Sequence, residues 1–111
     1  MFSLKGKAIL LYDAAKKRAK SKNIPFTIEK QEIIKKLENL EYCEATGCKF
    51  DYTEREDGIT NPYIPSLDQI IPGKGYTPEN IQIVVLWYNR MKHQLPDNDA
   101  KNILTNYVAN R

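Results

Sequence analysis

A chain of 111 residues, 41% hydrophobic and 28% charged, has the size and make-up of one globular domain. Its longest early apolar run, "AILLY" at residues 8–12, is too short for a secretory signal or a membrane span, so a soluble cytoplasmic protein with reduced thiols is expected. The net charge of +3 is unevenly spread: residues 1–22 hold seven Lys or Arg against one Asp, whereas residues 23–63 hold five against nine acids.

Residues 3–22 read as a helix, because Leu4, Ala8, Leu11, Ala15 and Ala19 recur at helical spacing. Lys16, Lys17, Arg18, Lys20 and Lys22 crowd its last turns. Such a basic arm suits a polyanion, most often nucleic acid; it equally suits a solvated helix face with cations near the negative end of the dipole. Pro25 ends the helix by pushing the residue before it out of helical geometry. Thr27 is placed to cap a second helix with a buried stripe of Ile33, Ile34, Leu37 and Leu40. "EYCEATGCKFDY", residues 41–52, reads as a short hairpin, and residues 53–62 as a polar loop.

"YIPSLDQIIP", residues 63–72, is an extended segment bounded by prolines, "GKGY" a turn, and "IQIVV", residues 81–85, a strand. "LWYNRMKHQ" meets no breaker before Pro96 and reads as a helix. A last helix starts near Asp97 or Asp99 and is expected to bury Ala100, Ile103, Leu104, Tyr107 and Val108. The expectation is one α+β domain: a basic helical part at 1–40, a mixed core at 41–95 and a closing helix at 96–111.

Asp68, Asn80, Asn89 and His93 stand out as candidates for chemistry. Asn89 and His93 lie four apart on a predicted helix and so share a face, and Asp68 ends the extended segment before it. A carboxylate, an amide oxygen and one imidazole make an oxygen-rich set that favours Mg²⁺ or Mn²⁺ over structural zinc. Singly, each has a plainer role: His93 as a surface residue, Asn80 as a turn former, Asp68 as a loop cap. Cys43 and Cys48 flank a turn, but two cysteines and one histidine supply four zinc ligands only by spending His93 and an acid, so the pair reads as reduced hairpin thiols. Tyr52, Tyr63, Tyr76, Trp87 and Tyr88 sit mostly at core or turn positions and read as packing rather than as a base-stacking surface.

The span "PSLDQIIPGKGYTPENIQIVVLWYNRMKH" resembles the ββα-metal core of HNH endonucleases, and most of all their phage-type branch. The pieces that carry the likeness are Ser66-Leu67-Asp68, Lys74-Gly75-Tyr76-Thr77, Asn80, Asn89 and Lys92. "KKRAKSKNIPFTI" and "CEATGCKFDY" resemble that branch's leading helix and hairpin, so the likeness covers about residues 12–95. It implies a ββα-metal core between N-terminal helices and a C-terminal helix, and hydrolysis of DNA phosphodiesters with a single Mg²⁺ or Mn²⁺. It further implies a phage-encoded protein working in the host cytoplasm. In that frame Asp68 and Asn89 are metal ligands and His93 a third. Asn80 steadies the loop and orients the catalytic group, while Lys74, Lys92 and the basic cluster Lys16, Lys17, Arg18 and Lys20 contact DNA.

Gln69 departs from the pattern. HNH enzymes usually carry a histidine base there, and an amide accepts no proton at useful pH. A backbone bend after Asp68 is expected to let one residue hold metal while Gln69 meets the attacking water. Two other expectations stay open: a weak or inactive HNH-like protein that binds DNA or a host protein, and an interaction module using the acidic stretch at 38–57.

Overall fold

The structure, a computed structural model, describes residues 3–111. Helix α1 spans Leu4–Lys22; the Ser3 hydroxyl accepts the Gly6 N–H at its start, and Asn23, in left-handed conformation, closes its end on the Ala19 and Lys20 carbonyls. Ala8, Ala15 and Ala19 form its buried stripe. Their small size lets helix α2, Lys30–Glu38, lay Ile33, Ile34 and Leu37 against α1. Glu29 and Glu32 cap α2 reciprocally, so Thr27 is not its cap. The Thr27 N–H instead donates to the Tyr76 carbonyl, at the bridge that ties Phe26 to Tyr76.

The hairpin expected at 41–52 shrinks to one bridge, Tyr42 to Lys49. Its turn is closed by its own side chains: the Thr46 N–H points to Cys43 Sγ and the Cys48 N–H to Thr46 Oγ1. Both thiols are free. The polar atoms left over cover a sheet edge. The Glu44 N–H donates to the Ile83 carbonyl, the Ile83 N–H donates to the Glu44 carboxylate at 2.7 Å, and Lys36 pairs with that carboxylate. An edge so covered offers no template to another chain.

Strands β1, Pro65–Gln69, and β2, Ile81–Val85, form a two-stranded antiparallel sheet in which Asp68 faces Gln82 and Gln69 faces Ile81. All five residues of β2 are buried. Helix α3, Leu86–Lys92, follows β2 without a loop. Its first N–H groups, which no helix can satisfy internally, donate to the Ile64 and Pro62 carbonyls just ahead of β1, and this fixes α3 across the sheet. The fold is thus α+β, with four helices and one two-stranded sheet among the described residues.

Helix α4, Asp97–Ala109, differs from expectation. Ala100 is buried and Leu104 half-buried, but Ile103, Tyr107 and Val108 are exposed, the last two by about two thirds. The helix docks through its first turn, where the Asp97 N–H donates to the Ile70 carbonyl, and the rest of its apolar stripe runs past the core. Tyr63 is also exposed, while Tyr76 and Tyr88 are buried. No helix among the described residues is long and apolar enough to cross a membrane.

Candidate functional site

The site is built where the end of β1, the turn after it, α3 and the last turns of α1 converge. Ser66, Asp68, Gln69, Asn89 and His93 line one polar hollow of about 200 Å³, and Arg18 and Lys22 line it from α1. Four of the sequence candidates therefore meet at one place.

Asn80 holds the floor without entering the hollow. It is buried, and its side chain donates to the Ile71 and Gly75 carbonyls and accepts the Ile71 N–H, all within 3.0 Å. The Ile70 N–H donates to its backbone carbonyl. These bonds clamp residues 70–75 into one shape. Gly75 in turn donates its N–H to Gln69 Oε1 at 2.9 Å, so Asn80 orients residue 69 through one intermediary. Gly75 must be glycine: its φ is +100°, and a Cβ there would lie 2.6 Å from the Pro25 carbonyl oxygen.

The backbone does not bend after Asp68. Asp68 and Gln69 both lie in regular strand, paired to β2. The two differ in depth instead. Asp68 is 4% exposed; Gln69 is half-buried, and its amide oxygen is taken by Gly75, leaving Nε2 as the end that can meet a ligand.

Asp68 is engaged from behind. Lys92 Nζ lies 3.1 Å from Oδ1 and Gln82 Nε2 lies 2.9 Å from Oδ2. Burial pushes its carboxyl above the ordinary value, and the Gln82 and Lys92 contacts oppose that shift. Lys92 also donates to the Gln69 carbonyl at 2.6 Å and is wholly buried. It cannot contact DNA as expected: its ammonium is spent holding the end of β1. Gln82 continues the network to Asp97, which accepts the Tyr88 hydroxyl at 2.6 Å. Burial and Asp97 together push the Tyr88 hydroxyl far above its usual range, so it stays a donor.

Asn89 Nδ2 donates to Ser66 Oγ at 2.7 Å and more weakly to the Leu67 carbonyl, which turns Oδ1 the other way with no donor among the described residues. His93 is not on a helical face with Asn89. Helix α3 ends at Lys92, and His93 caps it with φ of +50°, its N–H on the Asn89 carbonyl. The ring is exposed at the rim of the same hollow. A hard cation fits these donors: the bare Asn89 oxygen, a lone pair left on each Asp68 oxygen, and an imidazole at the rim, with water completing the shell. No group of three His, Cys, Asp or Glu side chains suited to a metal occurs among the described residues.

Of the cationic candidates, Lys74 is exposed in the turn and Lys16, Lys17 and Lys20 are exposed on α1 away from the hollow. The sequence analysis assigned no hydrogen-bonding role at the site to Ser66, Gln82, Tyr88 or Asp97. A hydroxyl or amide two or more elements from its partner leaves no local pattern, although Gln82 inside the apolar run "IQIVV" was a signal of buried pairing. Compared with protein-family models, curated proteins and solved structures, the chain matches none.

Proposed function

We propose that the chain is a small HNH-type endonuclease that hydrolyses DNA phosphodiesters with one Mg²⁺ or Mn²⁺, and that β1, β2 and α3 are its ββα-metal core. The observation that carries this is the convergence of Asp68, Gln69, Asn89 and His93 on one polar hollow beside Arg18 and Lys22. Asp68 and Asn89 hold the cation, with His93 as the rim ligand. A cation held by these residues would supply Lewis-acid stabilisation of the charge on the phosphate and on the leaving oxygen. Lys92 and Gln82 keep the Asp68 carboxylate fixed and aimed. Asn80 and Gly75 fix Gln69, whose free Nε2–H donates to a phosphate oxygen or to water. Gln69 takes no proton, so the parent lacks a contribution of about 10²–10⁴-fold that a placed base provides. Cleavage is therefore slow and rises with pH.

Nicking of supercoiled plasmid from pH 6 to 9, with Mg²⁺ and with Mn²⁺, tests this. The parent should nick slowly, Asn89→Ala not at all, and Gln69→His at least about tenfold faster above pH 6.5, where the imidazole is neutral. A parent with metal and DNA bound but no nicking would move the assignment to the second reading, a DNA-binding protein with a retired site. What favours that alternative is the engagement of both Asp68 oxygens and of Gln69 Oε1 by the protein itself.

A further inference from the structure

The five basic residues at 16–22 are one cluster in sequence and two in space. Arg18 and Lys22, four apart on α1, line the hollow; Lys16, Lys17 and Lys20 do not. Arg18 is also the one whose head is held. Its Nε donates to Tyr76 Oη at 3.1 Å, and its guanidinium lies 5.9 Å from the Tyr76 ring centre. Tyr76 is itself immobile: it is buried, its N–H donates to the Pro25 carbonyl, and its carbonyl accepts from Thr27. With Nε occupied, the two terminal nitrogens of Arg18 make no bond among the described residues, which is the fork that grips a phosphate in bidentate fashion. Lys22 reaches further. It lines both this hollow and an adjoining one of about 340 Å³ beside Gly73 and Gln94, with Gln69, Pro72 and His93 common to the two.

We propose that Arg18, anchored by Tyr76, is a phosphate clamp facing Asp68 and Asn89 across the hollow, and that Lys22 holds the next phosphate of the same strand in the adjoining hollow. The substrate class is then a nucleic-acid strand whose backbone passes between α1 and α3. The proposal rests on the phosphodiesterase assignment for the identity of the ligand, but its geometry is independent of cleavage.

The test is fluorescence anisotropy of a labelled DNA duplex in EDTA, where no cleavage occurs, over a range of salt. Each phosphate contact contributes about −0.9 to the slope of log K against log salt. Arg18→Gln/Lys22→Gln should weaken binding at least about tenfold and flatten the slope by about two. Lys16→Gln/Lys17→Gln/Lys20→Gln removes one charge more yet should flatten it by less than about one. Tyr76→Phe, which keeps the ring and every formal charge, should weaken binding about threefold with the slope unchanged, a signature that loss of folding would not give. A triple variant that loses as much as the double, or a Tyr76→Phe protein that binds like the parent, overturns the clamp. A parent that nicks DNA while showing either result fails the clamp alone. A parent that never nicks but shows the expected order fails the nuclease assignment alone, and one that binds no DNA fails both.

Discussion

Asp68 stands at the boundary of two polar regions that differ in every physical respect. Behind it, Lys92, Gln82, Asp97 and Tyr88 form a closed network in which each group has its partner and almost no water reaches. In front of it, Asn89, Gln69, His93 and Arg18 face a hollow with donors and acceptors to spare. The closed side gives rigidity, because a buried ionic group with a missing partner is costly. The open side is where the proposed chemistry belongs, because the Asn89 oxygen, the Gln69 Nε2 and the terminal nitrogens of Arg18 have no bond among the described residues. A candidate site is recognised here less by its residue types than by which side of one carboxylate they occupy.

The contrast breaks most sharply at Lys92. Lys92→Met leaves Asp68 buried without its counter-charge and should cost about 3–5 kcal/mol of stability in urea unfolding. Lys16→Met, on the open face of α1, should stay within about 0.5 kcal/mol. Equal effects would erase the distinction between the two regions.

Gly75 supports the open side, since its N–H positions Gln69 and its carbonyl is clamped by Asn80. Gly75→Ala forces a Cβ onto the Pro25 carbonyl at a φ that alanine disfavours, and should cost roughly 1–3 kcal/mol. A melting temperature equal to that of the parent would show that the turn has slack.

The smallest effect belongs to Asp97. Burial pushes its carboxyl up, but the Tyr88 hydroxyl, the Gln82 amide and Lys101 outweigh that and hold it below the ordinary value. A carboxyl lowered on folding stabilises fully above its unfolded value, about 3.9, and that stabilisation drains as pH falls through the folded one. Asp97→Asn should therefore lower stability at pH 7, where the ionised carboxylate contributes in full, and flatten the further loss below about pH 4. An acid limb as steep as the parent's would assign that loss to other carboxylates.

The helices and strands were legible because periodicity reports burial: Ala8, Ala15 and Ala19, and Ile33, Ile34 and Leu37, all lie where their spacing put them. The last helix was not, because an apolar stripe says that a face wants cover and not that cover exists; Tyr107 and Val108 lie exposed. At the site, the residues singled out were Asp68, Asn80, Asn89 and His93, to which the resemblance added Gln69; all but Asn80 face one hollow. The resemblance put Lys92 on DNA, but its side chain points inward, and spacing put His93 within the helix, which it caps instead. The fate of Lys92, at the helix end, depends on the element that packs there, and here that is β1, reached from 24 residues away.

The central claim is that the open side of Asp68 holds a hard divalent cation together with Asn89. Asn89→Ala tests it better than a change at Asp68, which would strand buried Lys92. Calorimetric titration of Mn²⁺ into the full chain should show one site in the parent, a loss of at least about tenfold in Asn89→Ala, and retained binding in Asn89→Asp, which keeps an oxygen in place. A parent that binds no Mn²⁺, or an Asn89→Ala protein that binds it as tightly as the parent, would contradict the account.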